Sequence, residues 1–151
     1  IYISFRFQLK FAIAAMAALL FDAFVVIAAF SVFRLELNSP FVASVLTIVG
    51  YSINDTIVIF DRIRENLKYN PSLKALRGTV NLSINQSLLR SMNTSVTTLI
   101  AVGALLFGGG DTLRAFTLPL FIGIISGTFS SIFIASPLWF ELKMRESKAR
   151  A

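Results

Sequence analysis

The sequence predicts an all-α membrane protein, a polytopic helix bundle with four full transmembrane helices. Of its 151 residues, 56% are hydrophobic and 15% are charged, and the mean hydropathy is +0.76. Soluble domains are about 45–50% apolar and about 25% charged, because polar groups have to cover much of their surface. The apolar residues are also grouped into long stretches, on the scale of the roughly 20 residues that cross a bilayer. A water-soluble globule is therefore excluded.

Four spans are predicted, each from its hydrophobicity and from local helix signals. The first is rich in Ala and is interrupted only by Asp22, and the second begins directly after Pro40, which suits the first turn of a helix. The third is expected to begin earlier than its apolar core, since the residues before it are compatible with a helix. The fourth has Pro119 near its start and Pro137 near its end. The predicted spans are residues 11–33, 41–60, 92–107 and 117–140.

The remaining segments are predicted from their charge. Residues 1–10 are interpreted as the end of a truncated transmembrane helix with a turn, residues 61–91 as a link, and residues 141–151 as a basic tail. Twelve of the 14 Lys and Arg residues lie in these three segments, and Arg34 and Arg114 lie on the opposite side. Because positive charge accumulates on the cytoplasmic side of membrane proteins, we predict that all three segments are cytoplasmic. The net charge of +6 is then explained without a nucleic-acid partner.

The chain has no Cys and no His, and this restricts its chemistry. Disulfides, thiol nucleophiles and Cys/His zinc sites are excluded. The sequence also has no nucleotide-binding glycine loop and no metalloprotease motif. We therefore predict no enzyme activity, no cofactor and no metal site, and we expect energy to come from the membrane gradient or from a partner.

Asp55 and Arg90 are the leading candidates for a functional site. An ionisable group in a span costs about 2.5–3.5 kcal/mol on insertion scales, so its presence needs a reason. Asp55 lies six residues before Asp61, which places it roughly 9 Å inside the predicted cytoplasmic boundary. Ser52 and Asn54 are polar neighbours of Asp55 on the same helix. Two interpretations stay open, a static Asp55–Arg90 ion pair and a carboxylate that takes up and releases a proton.

Polar residues around Arg90 form a second pattern. They recur at spacings of three and four, which predicts one stripe along a helix, and such a stripe should face protein or water instead of lipid. The alternative is that the hydroxyl groups only join helices by hydrogen bonds of about 0.6 kcal/mol each. The stripe contains Ser83, Gln86, Arg90, Asn93, Thr94, Thr97 and Thr98.

Asp22 and three glycines complete the candidate residues. Asp22 lies halfway along the first span without polar neighbours in its own helix, so its partner must come from another helix. Structural pairing and membership of a proton pathway are equally compatible with that position. Gly123 and Gly127 have GxxxG spacing, which is typical of closely packed membrane helices, and Gly50 is interpreted in the same way.

Residues 50–66, with the sequence GYSINDTIVIFDRIREN, closely resemble the signature of the SecF family, membrane subunits of the SecD–SecF export complex in the RND superfamily. Further agreement lies in LLFDAF at 19–24, SINQSLLRS at 83–91, TSVTTL at 94–99, FGG at 107–109 and IGIISGTFSSI at 122–132. The resemblance implies an RND-like half that comprises the last four of six membrane helices. It also implies that the first helix and a large extracytoplasmic domain are absent from this chain.

The resemblance implies a role as well. Members of the family use the proton motive force, together with SecD, to promote late preprotein translocation through SecYEG in the bacterial or archaeal cytoplasmic membrane. Asp55 and Arg90 match family positions that take part in proton transport, and Asp22 matches an acidic position of the third family helix. The implied partners are SecD, SecYEG, the preprotein and membrane lipid, with YajC and YidC as further candidates. Coupling to Na⁺, a passive scaffold and a fragment of an RND-type exporter remain as alternatives.

Overall fold

The computed structural model describes residues 9–69 and 76–149, and within this part of the chain all secondary structure is helical. Residues 1–8 of the predicted truncated helix, residues 70–75 of the link and the last residues of the tail, 150–151, lie outside the described residues. The helices are α1 (Leu9–Val32), α2 (Ser39–Tyr69), α3 (Leu76–Gly108), α4 (Asp111–Ser130), a π-helical segment (Ser131–Ala135) and α5 (Ser136–Ala149), which continues the path of α4.

Four helical stretches are long and apolar enough to cross a membrane, which confirms the predicted all-α membrane class. They contain 24, 31, 33 and 35 residues, the last running through α4, the π segment and α5 as far as Arg145. Helix α2 continues beyond the predicted span to Tyr69, and α3 begins at Leu76. Most of the predicted link at 61–91 is therefore made of two helix ends. Helix α4 begins at Asp111, before the predicted residue 117, because Asp111 supplies an acidic side chain to the first turn.

Short connections make neighbouring helices antiparallel. Between α1 and α2, Asn38 caps the second helix, since its Oδ1 accepts a hydrogen bond of 3.0 Å from the Phe41 backbone N–H. Between α3 and α4, Gly109 lies so close to the Leu105 carbonyl and the Leu113 side chain that a Cβ atom would overlap both. A residue with a side chain would therefore open this turn.

The bundle interior has two apolar clusters with a polar layer between them. Near one end, Phe11 stacks on Trp139 with ring centroids 4.6 Å apart, within a cluster that includes Phe60, Ile63 and Leu76. The other cluster contains Val26, Phe30, Phe41, Ile48, Val102, Leu120 and Ile124. Each helix carries small or polar residues at the level between these clusters. The two apolar clusters therefore fix the depth at which the buried polar groups meet.

The π-helical segment lies where α4 approaches a proline. Pro137 has no backbone N–H, so the regular hydrogen bond to the carbonyl four residues earlier is not made. The Ser136 hydroxyl donates to the Ser131 carbonyl at 3.1 Å, and the Ser131 hydroxyl donates to the Gly127 carbonyl at 2.8 Å. Side-chain hydroxyls thus satisfy backbone carbonyls around the irregular turn. Such segments frequently occur at functional sites.

Two of the three predicted packing glycines lie at the contact between α2 and α4. A Cβ atom on Gly123 would overlap the Ile48 side chain, and one on Gly127 would lie 3.2 Å from the Ser52 Cβ. Gly50 is different, because it is exposed and no atom lies within 4 Å of the position a Cβ would take. Within the described helices Gly50 is therefore not a packing contact.

Candidate functional site

The polar layer contains two buried carboxylates on two different helices. Asp22 of α1 is 1% exposed and Asp55 of α2 is 7% exposed. Around them, α2, α3, α4 and the π segment bury an unusual number of hydroxyl groups. These belong to Ser52, Thr56, Ser83, Ser87, Ser91, Ser95, Ser126, Ser130 and Ser131.

Asp22 is held by hydroxyl donors from two other helices. Its Oδ1 accepts a hydrogen bond of 2.7 Å from Ser126, and its Oδ2 accepts bonds of 2.5 Å from Ser52 and 2.8 Å from Ser130. Ser52 belongs to α2, and the other two serines belong to α4. We call these four residues the Asp22 cluster. The sequence prediction that a partner must come from another helix agrees with this geometry.

Asp55 has a much sparser environment. Its Oδ1 accepts one hydrogen bond of 2.6 Å from the Ser91 hydroxyl of α3. Its Oδ2 is buried and accepts no hydrogen bond from the described residues. A buried carboxylate oxygen without a donor is costly, so a proton, a water molecule or a group from another subunit is needed to satisfy it.

Arg90 does not form the ion pair with Asp55 that the sequence left open. The Arg90 side chain is exposed, and among the described residues its neighbour Ser91 is the one that contacts Asp55. Consecutive residues on a helix point about 100° apart, so Ser91 and Arg90 cannot both face Asp55 directly. Arg90 directly precedes Ser91 on α3, so a positive charge lies beside the Asp55–Ser91 contact. Any interaction between Arg90 and Asp55 is therefore a Coulomb interaction without direct contact.

The buried stripe of α3 differs from the predicted polar stripe. Ser83, Ser87, Ser91 and Ser95 are buried against the bundle, whereas Asn93, Thr94 and Thr97 are exposed and Thr98 is half-buried. The three threonine hydroxyls donate to carbonyls of their own helix, four residues earlier, at 2.8–2.9 Å. Sequence reasoning missed Ser87, Ser91 and Ser95 as site residues. The regular spacing of four residues was the signal that could have identified them.

Three of the seven residues of the predicted polar stripe, Arg90, Asn93 and Thr97, belong instead to an exposed polar surface that also includes α2. Asn54 and Arg90 each directly precede a residue of the Asp55–Ser91 contact, and both side chains are exposed. In two antiparallel helices, the residues just before a mutual contact point to the same side of it. We call this surface the outer polar face; it consists of Gly50, Asn54, Arg90, Asn93 and Thr97.

Further hydroxyl contacts join the helices in the same layer. The Tyr51 hydroxyl donates to Ser95 at 3.0 Å, and the Ser95 hydroxyl is 2.6 Å from that of Thr128 on α4. On the other side of α2, the Thr56 hydroxyl lies 2.8 Å from that of Ser131. These contacts orient α2 so that Ser52, three residues before Asp55, lies next to Asp22. Asp55 itself faces α3.

Charged and amide side chains connect α2 and α3 alongside the apolar cluster that contains Phe60, Ile63 and Leu76. Arg62 donates to Gln86 at 2.8 Å and to Glu65 at 2.6 Å, and Asn66 donates to Ser83 at 2.8 Å. The side chains of Arg62 and Glu65 are 40% and 52% exposed, so their ion pair contributes little to stability. In this structure, these contacts accompany the register between α2 and α3 at which Asp55 meets Ser91.

No group of three or more potential metal-binding side chains occurs among residues 9–69 and 76–149. The arrangement instead offers exchangeable hydroxyl donors and two carboxylates.

Comparison with known proteins identifies similar sequences and structures. Residues 1–145 match the family described as protein export membrane protein SecD/SecF, C-terminal. The chain is 54% identical over 150 residues to the protein translocase subunit SecF of Alicyclobacillus acidocaldarius, covering 98% of this chain and 49% of that protein. It is 47% identical to the protein translocase subunit SecDF of Bacillus subtilis over 150 residues, which cover 98% of this chain and 20% of that protein.

Solved structures give the same result. The crystal structure of SecDF in a super-membrane-facing form superposes with a TM-score of 0.92 at 46% identity, over 99% of this chain and 20% of that one. The crystal structure of SecDF from Thermus thermophilus gives a TM-score of 0.88 at 48% identity, over 94% of this chain and 20% of that one. The chain thus spans about half the length of the SecF relative and about one fifth of the SecDF proteins.

Proposed function

The chain belongs to the SecD/SecF C-terminal family of protein-export membrane proteins, and from this premise we propose that it is the membrane part of an accessory subunit of the Sec export machinery. In this proposal it uses the proton motive force, together with a SecD companion, to promote late preprotein translocation through SecYEG. The preprotein is the transported substrate, and YajC and YidC are candidate additional partners.

The observation that carries this proposal is the unequal environment of the two Asp55 oxygens. One oxygen accepts a hydrogen bond from Ser91, and the other is buried with no donor among the described residues. A carboxylate in this state has a position ready to receive a proton. Because residues 9–69 and 76–149 supply one donor to Asp55, the Ser91 hydroxyl of α3, a small movement of α3 changes both the hydration and the hydrogen bonding of this carboxylate. Asp55 is therefore the residue that we assign to proton uptake and release.

Arg90 supplies the electrostatic part of the proposed mechanism. Its positive charge acts on Asp55 without a direct ion pair, so a change in their distance alters the proton affinity of the carboxylate. The membrane potential provides about 2.3 kcal/mol per charge for each 100 mV, which is available to drive such a change. Proton movement through Asp55 would then be coupled to movement of the helix that carries Arg90.

The outer polar face supports the assignment of a membrane-embedded companion. Asn54, Arg90 and Asn93 are exposed in this chain at or near the depth of Asp55, and such groups are not stable against lipid. A SecD subunit packed on this face would cover them and complete the surroundings of Asp55. We propose this orientation with residues 61–69, 76–91 and the C-terminal end of α5 on the cytoplasmic side, following the distribution of Lys and Arg.

The experiment that tests the proposal compares Asp55→Asn with the control Asp61→Asn in the complete protein together with its companion subunit. Asp61 lies six residues later on α2 and is exposed, so its substitution changes the same chemical group outside the polar layer. Preprotein export is measured with and without a proton gradient. We expect Asp55→Asn to lose the gradient-dependent part of export and Asp61→Asn to keep it.

Two results would contradict the proposal. Gradient-dependent export that persists in Asp55→Asn would favour a passive scaffold, in which the polar layer only joins helices. Export that depends on a Na⁺ gradient and not on a proton gradient would contradict the proton as the coupling ion. Asp55 would then remain the proposed site for Na⁺.

A further inference from the structure

We propose that Asp22 is a positioning residue that joins α1, α2 and α4 into one unit, against which α3 moves during the transport cycle. The inference rests on the proposed function, because the cycle it refers to is proton transfer at Asp55. It assigns different roles to the two buried carboxylates, which the sequence alone could not separate.

The Asp22 cluster connects three helices through one side chain. Both carboxylate oxygens are occupied by hydroxyl donors, Oδ1 by Ser126 and Oδ2 by Ser52 and Ser130. Asp22 is 1% exposed, and no charged residue occurs on α4 and its continuation between Arg114 and Glu141. A proton on Asp22 would neutralise the carboxylate to which these three hydroxyls donate, and hydrogen bonds to a neutral carboxyl group are weaker than those to a charged one. Proton uptake would therefore weaken the contacts between the helices, which suits a fixed junction and not a carrier.

The contact between α2 and α4 is close on both sides of the Asp22 cluster. Gly123 accommodates Ile48, and Gly127 brings the backbone of α4 against Ser52. The Thr56 hydroxyl also contacts that of Ser131, one residue beyond the cluster. Closely fitted surfaces of this kind resist sliding, because a displacement would move Ile48 and Ser52 away from the glycines and against residues that have side chains.

Helix α3 is the span least buried within this chain. In the most apolar 18-residue window of each span, 22% of the residues of α3 are buried inside the bundle, against 39%, 33% and 50% for the other three spans. In the polar layer α3 is joined to its neighbours by hydroxyl hydrogen bonds, from Ser91 to Asp55 and between Ser95 and both Tyr51 and Thr128. Arg90, the charged neighbour of the Ser91 donor, is also on α3. A change in charge at Asp55 therefore acts first on α3, and it reaches α4 through α2 and through the Ser95–Thr128 contact.

Two matched cysteine pairs test this division. The chain has no native Cys, and two pairs of hydroxyl side chains lie at similar separations, 2.8 Å for Thr56 and Ser131 and 2.6 Å for Ser95 and Thr128. The double variant Thr56→Cys/Ser131→Cys bridges α2 to the end of α4, within the proposed unit. The double variant Ser95→Cys/Thr128→Cys bridges α3 to α4, across the proposed sliding contact. Both are made in the complete protein with its companion, and gradient-dependent export is measured before and after oxidation.

We expect the bridge within the unit to leave export unchanged. The bridge across the sliding contact should lower it at least about tenfold, because movement of α3 is blocked, and a reductant should restore it. Loss of export with the first bridge, or full export with the second, would overturn the proposal while leaving the proton-driven function intact. Each oxidised variant is compared with its own reduced form, so a folding defect is seen before the bridge is closed.

An infrared measurement tests the role of Asp22 without relying on export. Difference spectra on acidification report carboxyl groups that gain a proton, and we expect the signal to be lost in Asp55→Asn and retained in Asp22→Asn. A carboxyl band that disappears in Asp22→Asn would show proton exchange at Asp22 and would overturn its assignment as a fixed junction. Absence of gradient-dependent export in the wild type would contradict the proposed function, and this spectrum would still decide the role of Asp22.

Discussion

Asp22 and Asp55 are both buried in the same layer of one bundle, yet their environments differ in almost every respect. Asp22 accepts three hydrogen bonds from two helices, whereas Asp55 accepts one and has an oxygen without a donor among the described residues. Arg90 directly precedes the Ser91 donor of Asp55, so a positive charge lies beside that contact. The cost of burying a carboxylate identifies both residues, and the different number of donors is the basis on which we propose different roles for them.

The difference originates on α2, which contributes to both sites. Ser52 faces α1 and donates to Asp22, and Asp55, three residues later, faces α3. Thr56, the next residue, faces the π segment at Ser131. Helix α2 thus lies between a carboxylate with three hydrogen-bond donors and a carboxylate with one. Substitutions that add or remove a donor on either side should decrease or increase this difference.

The largest expected effect is the loss of stability in Asp22→Ala. Ser52 and Ser126 would lose their acceptor, while Ser130 would keep the Gly127 carbonyl at 3.2 Å. We expect the unfolding free energy to fall by about 3 kcal/mol, against about 1 kcal/mol for Asp55→Ala, where one donor is affected. Thermal unfolding of the purified protein in detergent measures both. Equal destabilisation by the two substitutions would contradict the difference between the sites.

Ser91→Ala should have the next largest effect. It removes the donor that Asp55 has among the described residues, and the loss of a hydrogen bond to a charged group costs about 1.5 kcal/mol or more. Thr97→Ala is the matched control, since its hydroxyl bonds to a carbonyl of its own exposed helix surface, and we expect a change within about 0.5 kcal/mol. Similar values for the two alanine variants in thermal unfolding would argue against a specific role for Ser91.

Gly127→Ala should have the smallest measurable effect, confined to the Asp22 side. The added Cβ would lie 3.2 Å from the Ser52 Cβ and 3.4 Å from its hydroxyl, so Ser52 must move away from its present position. We expect a loss of about 1 kcal/mol from this overpacking. Gly50→Ala, where a Cβ meets open space, should not lower stability, because Ala is the better helix former. A Gly127→Ala variant as stable as Gly50→Ala would show that the α2–α4 contact adapts freely.

The fold could be predicted largely from the sequence, because a membrane-spanning helix is recognised by its own length and hydrophobicity, whatever its neighbours are. The same reasoning placed Asp22 and Asp55 in the site, since burial of a carboxylate carries a large cost. It failed for Ser87, Ser91 and Ser95, because a serine costs little in a span and gives no comparable signal. Arg90 illustrates a second limit. Depth along a helix is readable from sequence, but the direction of a side chain around the helix depends on which face packs inward.

The ends of the elements could be predicted only in part: the third span was expected to begin before its apolar core, and α3 does so at Leu76. Helix α4 begins six residues before its apolar stretch because Asp111 and Arg114, 3.8 Å apart, are compatible with an exposed helix start. Helices α2 and α3 extend past the apolar layer because Arg62, Asn66 and Gln86 hydrogen-bond to one another there. Hydrophobicity alone does not indicate which polar side chains beyond the apolar spans will hydrogen-bond to each other.

Ser130 and Ser131 are adjacent in the chain, yet the first donates to Asp22 of α1 and the second contacts Thr56 of α2. This arrangement leaves no tolerance for insertions or deletions between Ser126 and Ser131. Adding or removing a single amino acid would rotate every following side chain by about 100° and exchange the two hydroxyls between unrelated neighbours. A gap inside 126–131 in a relative would therefore mark a protein whose α1 is anchored by other means.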